Sequence, residues 1–245
     1  VVFEDGGVEL RGGRARIDFA RAFDRADVRV GGGVAHTWLE PQIPASAGIS
    51  TRSIAFGELT GTARQTGDGS GLTESLWMHV SGGRDNEGRD FGRGVVSLGM
   101  RAAMTQALPL DMSVTYGRVS ADASTFERFV IGGLPSMLVD PSVLAQRMPM
   151  AALPSRVGIG DHVLAFRAAT SLFGVAPFYW GASVRDGPGR FERWHRAAGV
   201  ELTIDQTPLP VLGTPGARLT AGIARSLDAP LARATRAYLT LVLRP

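Results

Sequence analysis

Apolar and polar residues alternate one by one along this chain, in short runs separated by Gly, Asp and Pro. Alternation with period two places successive side chains on opposite faces of an extended strand, and it does not fit the 3.6-residue repeat of an amphipathic helix. In 76–81 the apolar set is Leu76, Met78 and Val80. In 95–101 it is Val96, Leu98 and Met100, opposite Ser97, Gly99 and Arg101. In 110–116 it is Leu110, Met112, Val114 and Tyr116, opposite Asp111, Ser113 and Thr115. The same reading predicts about twelve strands, near 14–23, 27–38, 51–62, 73–82, 92–102, 110–119, 125–132, 161–172, 174–185, 190–204, 215–227 and 233–244. Turn-forming clusters such as Asp24-Arg25, Gly67 to Gly71, Asp186-Gly187-Pro188-Gly189 and Asp228-Ala229-Pro230 lie between them. Their spacing points to successive antiparallel hairpins.

Two segments depart from this pattern. Residues 133–160 form a long connection rich in Pro, Met and Leu, in which Asp140-Pro141 starts a short helix through about Arg147 and Pro149 ends it. Near the end, Leu231, Ala234, Tyr238 and Val242 fit a helical stripe, while Ala237, Leu239, Leu241 and Leu243 fit one strand face. Arg236, Thr240 and Arg244 on the other face favour the strand. No shift in composition divides the chain, so residues 1–245 read as one domain.

Composition narrows the class. A chain of 245 residues has ample length for a core. Its 44% hydrophobic and 20% charged residues exclude a disordered chain. No apolar run approaches the roughly 20 residues of a membrane-spanning helix, which excludes a helical membrane protein. The opening Val1-Val2-Phe3-Glu4-Asp5 has no Met and no signal-peptide pattern, as expected of a mature or trimmed product or a piece of something longer. With no cysteine there are no disulfides, thiolate metal ligands or Cys nucleophiles, a usage that fits an exported chain. All 26 basic residues are Arg and Asn86 is the single Asn; GC-rich codon usage explains both, and phosphate binding by guanidinium forks is the alternative. The arginines are dispersed among 23 acidic residues with no basic, aromatic-interleaved stripe, so nucleic acid is not an expected partner. No cofactor is expected: Gly31-Gly32-Gly33 lacks the strand–turn–helix context of a dinucleotide fingerprint and reads as strand glycine packed by a bulky neighbour. His36, His79, His162 and His195 show no metal-ligand spacing, so no metal site is expected.

Strand length and face chemistry select among all-β architectures. Runs of about ten residues exceed the usual 5–6 of soluble strands and match the 9–11 that cross an outer membrane obliquely. The second face of each run carries Gly, Ala, Ser, Thr and Arg, the chemistry of a polar barrel interior. Closure also removes exposed strand edges. The expected fold is therefore an all-β, antiparallel transmembrane β-barrel of about twelve strands, complete or part of a larger barrel, in the bacterial outer membrane. Expected partners are outer-membrane lipid and lipopolysaccharide, with other envelope proteins or a larger complex. Trp38, Phe91, Tyr116, Phe126, Tyr179, Trp180, Trp194 and Tyr238 lie near strand ends, as interface girdles or as core packing. Arg101, Arg118, Arg167 and Arg225 are the candidates to line the lumen, setting anion preference or filling it as salt bridges. Asp85, Glu87 and Asp90 with Arg84, Arg89 and Arg93 form a self-neutralising turn, or else a contact for divalent cations or lipopolysaccharide.

The stretch Phe129-Val130-Ile131-Gly132-Gly133, then the long loop and the strands from His162, carry a resemblance. With Ala198-Gly199-Val200-Glu201-Leu202 and Leu219-Thr220-Ala221-Gly222-Ile223-Ala224, they are similar to the C-terminal barrel of the bacterial surface antigen family of outer-membrane assembly and translocation proteins. The resemblance covers about residues 125–245. It implies a strand ending in Gly-Gly, a long loop and a final set of hairpins, with a transport, translocation or structural anchoring role. The chain departs from the family in having no Arg-Gly-aromatic triplet within 133–160 and in ending Leu243-Arg244-Pro245 rather than on an aromatic residue.

One constellation carries candidate chemistry. In His79-Val80-Ser81 the His and Ser are two apart on a predicted strand and project from one face. That arrangement suits an imidazole that activates a hydroxyl for acyl transfer. It resembles the His-x-Ser of outer-membrane phospholipase A and the lipid A deacylases, and the resemblance implies His79 as general base and Ser81 as nucleophile of a lipid acyl hydrolase. Gly82 stands where those enzymes usually carry Asn. The other reading of His79 is a packed strand residue, and a third overall alternative is a soluble all-β binding domain.

Overall fold

The computed structural model describes residues 2–5, 8–41, 51–67, 71–105, 108–123, 127–133, 145–154, 157–171, 174–206, 216–228 and 235–244. The protein is all-β. Twelve antiparallel strands form the main sheet: β1 (Val2–Asp5), β2 (Val8–Ala22), β3 (Ala26–Pro41), β4 (Thr51–Thr66), β5 (Leu72–Asp85), β6 (Asp90–Thr105), β7 (Leu108–Val119), β11 (His162–Thr170), β12 (Val175–Arg185), β13 (Trp194–Gln206), β14 (Gly216–Ser226) and β15 (Thr235–Arg244), in that order. Three short strands, β8 (Phe129–Ile131), β9 (Arg147–Met148) and β10 (Gly158–Gly160), make a separate sheet inside the connection from β7 to β11. Among the described residues no pairing joins β15 to β1 or β2, so the main sheet is open.

Most of the expected strands are present, and several are longer than the alternation suggested. The exception is 125–132, whose described part is β8, in the small sheet. Phe129, Val130 and Ile131 are all buried, and three consecutive apolar residues need cover on both faces, which a half-exposed strand of the main sheet does not provide. The alternation also did not announce β1 or the start of β2. Of the helix expected at 140–147, residues 134–144 lie outside the described set; Ala145 and Gln146 are helical and β9 follows directly. The final stretch is a strand, with Leu239 60% exposed between buried Tyr238 and Thr240.

The two faces of the main sheet are inverted relative to a water-soluble sheet. One face exposes a continuous apolar surface that crosses all the long strands, including Ile17 (71% exposed), Phe19 (76%), Val30, Leu59, Val80, Leu98, Val114, Val200, Ile223 and Leu239. Register makes the surface continuous, since Phe19, Val30, Leu59 and Val80 are successive partners from β2 to β5, and Leu98 pairs Val114. Part of the opposite face is covered by the described residues 127–133, 145–154 and 157–160, whose Phe129, Ile131, Met150 and Leu153 are fully buried. This segment ties to the middle of the sheet and to one edge. Arg93 of β6 pairs Glu127 at 3.2 Å, and Arg236 of β15 donates to the Leu153 carbonyl at 3.4 Å. Six strand steps separate β6 from β15, about 29 Å on a flat sheet at about 4.8 Å per step. The segment thus reaches strands that lie far apart in the sheet.

Glycines on the covered face act as seats for aromatic rings. A Cβ at Gly117 would lie 2.5 Å from the Phe129 ring, at Gly199 2.7 Å from Phe178, at Gly222 2.5 Å from Tyr238, and at Gly83 2.9 Å from Phe91. At Gly117 and Gly222 the ring occupies the volume of the missing side chain, an aromatic rescue of a strand glycine, while at Gly83 and Gly199 the Ala55 and Ile223 carbonyls stand closer still. At Gly31 the close neighbour is instead the Asp18 carboxylate.

The register also staggers in one direction. A single row of partners runs Phe19, Val30, Leu59, Val80, Gly94, Arg118, His162, Arg185. It lies eleven residues past the start of β2 yet falls on the last residue of β12, after seven strand steps. At about 3.3 Å per residue and 4.8 Å per step, a shift of roughly 1.6 residues per strand inclines the strands by roughly 45° to the line joining their ends.

Candidate functional site

The covered face gathers the polar side chains, because the parity that sends Met78 and Val80 outward sends His79 and Ser81 inward. Both are buried. His79 Nδ1 and Thr60 Oγ1 on β4 share a hydrogen bond of 3.0 Å, and the imidazole stacks on Trp77 at 6.1 Å. Ser81 Oγ has no hydrogen-bond partner among the described residues, so the imidazole is not bonded to it. In register, Ser81 sits between Glu58 of β4 and Arg93 of β6, both buried. The two residues thus share a face, as their spacing required, but the contact that activates a serine is not made.

Of the four arginines read as lumen-lining, two lie on the covered face. Arg167 of β11 donates to Glu201 of β13 at 2.8 Å, and Tyr238 of β15 donates to the other Glu201 oxygen at 2.5 Å. Arg167 also lies over the Phe178 ring at 5.8 Å. This network crosses from β11 to β15. Arg101 lies on the same face, 3.6 Å from Asp111 of β7. Arg118 and Arg225 are the correction: they sit on the apolar face, since Arg118 shares parity with Tyr116 and Val114, and Arg225 with Ile223. Each is one residue from the end of its strand.

The expected girdle divides the same way. Tyr116, Tyr179 and Trp194 are on the apolar face, where Phe166 contacts Tyr179 at 5.6 Å and Trp194 at 5.7 Å. Phe91, Trp180 and Tyr238 are on the covered face, the first and last buried. Phe126 and the Trp38 side chain lie outside the described set. In the 84–93 turn, Arg84 pairs Asp90 at 2.6 Å, and Arg89 pairs Asp85 at 2.9 Å and Glu87 at 2.8 Å. Arg93 leaves that cluster for Glu127. Among the described residues no three His, Asp or Glu side chains group to hold a metal ion.

Sequence reasoning missed the ties that hold the covering segment, because they join residues far apart in the chain. The Arg93–Glu127 pair is one. The other is Asp161, between β10 and β11. His162 Nδ1 lies 2.6 Å from its Oδ1, and the Gly187 N–H donates to both carboxylate oxygens at 3.0 and 2.9 Å. Its backbone carbonyl accepts from Val119 N at 2.8 Å. Burial pushes the Asp161 carboxyl up, but the His162 and Gly187 hydrogen bonds, with the charges of His162 and Arg128, outweigh it and hold the group below its ordinary value. A carboxylate whose folded pKa is depressed stabilises fully above its unfolded value of about 3.9 and loses that contribution as pH falls through the folded value. Lowering the pH from about 6 to about 3 is therefore expected to reduce thermal stability more in the native protein than in Asp161→Asn. Parallel melting curves at both pH values check this, and identical losses would remove Asp161 from the account.

A scan against protein-family models and a search of curated proteins find no match to this chain.

Proposed function

We propose that this chain is the membrane-embedded sheet of a bacterial outer-membrane β-barrel, complete or part of a larger barrel, with a translocation or structural anchoring role. The observation that carries the reading is the inversion of the faces. A sheet whose large apolar side chains point outward across every long strand, while Glu58, His79, Arg93 and Thr240 are buried on the other side, matches lipid outside and a polar interior. In water the same surface would far exceed the few hundred Å² of contiguous apolar patch that soluble monomers expose. The inclination of roughly 45° agrees with the 35–45° tilt of closed barrels.

The covering segment refines the role. The described residues of 127–160 occupy part of the face that would become the lumen, anchored at β6 and β15. A barrel occupied by its own chain is not an open diffusion pore in this state, which favours translocation gated by that segment, or anchoring, over free diffusion. The acyl-hydrolase alternative is not advanced. A lipid ester would reach the apolar face, whereas His79 and Ser81 are on the covered one and make no mutual hydrogen bond.

The test is extraction and refolding in detergent followed by gel electrophoresis with and without boiling. A closed barrel is expected to migrate differently before boiling and to partition into detergent. A protein that stays in plain buffer as a monomer, with no change in migration on boiling, overturns the reading in favour of a soluble all-β domain.

A further inference from the structure

One end of the sheet carries outward arginines. Arg84, Arg118, Arg185, Arg196 and Arg225 each lie within three residues of their strand's end on the side where the turns 86–89, 120–161, 186–193 and 227–234 connect strands. All five share parity with the apolar face. Within three residues of the opposite ends of β2 to β7 and β11 to β15, the only outward charges among the described residues are Arg21 and Glu74. Following the pairings, Arg225 sits ten residues beyond Arg84 after six strand steps, roughly 1.7 residues per strand. That rate matches the stagger of the strands themselves, so Arg84 and Arg225 lie at about one depth, and the other three arginines fall between them along the same end of the sheet.

The belt is not fully neutralised. Arg84 is paired with Asp90 at 2.6 Å and Arg196 with Asp228 at 3.3 Å. Arg118 and Arg185 form no ion pair among the described residues; Arg185 donates to the Gly187 carbonyl at 2.8 Å and lies over the Phe191 ring at 5.0 Å. These two arginines flank His162 in one row across β7, β11 and β12, so their backbones are two strand spacings, about 10 Å, apart. Just toward the sheet centre lie Tyr116, Phe166, Tyr179 and Trp194, residues suited to the boundary between headgroups and acyl chains.

We propose that Arg118 and Arg185 bind the headgroup of a lipid bearing two phosphates, in the leaflet facing the long-loop end of the barrel. The inference rests on the barrel reading above and names the lipid partner of that belt. Guanidinium forks match phosphate oxygens in a bidentate way. Two such groups about 10 Å apart, beside an aromatic cluster, suit a headgroup whose phosphates are separated and whose acyl chains run down the apolar face. In barrels the longer loops face the outside, which places this belt against the outer leaflet.

The test uses the refolded protein in phosphatidylcholine vesicles that contain diphosphorylated lipid A, monophosphorylated lipid A, or neither with inorganic phosphate in the buffer. The readouts are lipid retained on extraction and the temperature at which the unboiled band converts. Native protein is expected to retain the diphosphorylated lipid best. R118Q with R185Q is expected to weaken retention roughly fivefold per arginine, about thirtyfold together, while R118K with R185K keeps most of it. Equal retention by the glutamine pair and the native protein overturns the proposal, as does full competition by inorganic phosphate, which would mark a free-phosphate site. A protein that gives a heat-modifiable band but ignores lipid overturns this inference alone. A protein that gives no such band in any vesicle overturns the barrel reading with it.

Discussion

Leu98→Arg is expected to block stable insertion into bilayers. Leu98 is 59% exposed, lies mid-strand in β6 (Asp90–Thr105), and pairs with Leu76 and Val114 on the apolar face. On the surface of a soluble sheet, arginine for an exposed leucine changes stability within about 0.5 kcal/mol. At the mid-depth of a membrane barrel the same change costs about 2–4 kcal/mol. The measurement is the heat-modifiable fraction after refolding into vesicles, compared with the fraction folded in detergent micelles. A variant that inserts as well as the native protein would be evidence that this face does not meet lipid.

Phe129→Ala is expected to have the second large effect, and it acts on the opposite face. The ring is fully buried between the Gly117 backbone and Val163. Truncating a buried Phe costs about 3–5 kcal/mol. Here the loss falls on the seat of the covering segment, so two readouts should move together. The conversion temperature of the unboiled band should drop, and single-channel conductance in planar bilayers should rise as the segment leaves the interior. Native conductance with an unchanged conversion temperature would show that Phe129 does not hold the segment in place.

The fold was legible where it depends on local parity. Leu76, Met78 and Val80, or Leu110, Met112, Val114 and Tyr116, are two apart, and a pleated strand permits only one arrangement of them. Where residue type was weighed above parity, the reading failed. The charge of Arg118 points to a lumen, but its spacing from Tyr116 and Val114 puts it on the other face. The same signal was present at Phe129-Val130-Ile131, where an unbroken apolar triplet marks a strand covered on both sides. The ties between distant residues had no such signal. Arg93 with Glu127, and Tyr238 with Glu201 over Gly222, meet only because strand register and the return of a long connection place them together. For His79 and Ser81, the common face followed from spacing, while their burial depends on neighbours on β4 and β6 that spacing does not specify.

The pairing order has a kinetic consequence. Ten of the eleven contacts in the main sheet join strands adjacent in the chain, and only β7 with β11 spans a long connection. Hairpin contacts close short loops and form quickly, whereas a long loop carries an added entropic barrier that grows with its length. The chain is therefore organised as two zippering halves, β1 to β7 and β11 to β15, joined by one slow closure. That single event brings Arg118 beside His162, and it is also the step that encloses Phe129 and Leu153, so the assembly of the wall and the filling of its interior cannot be separated in time.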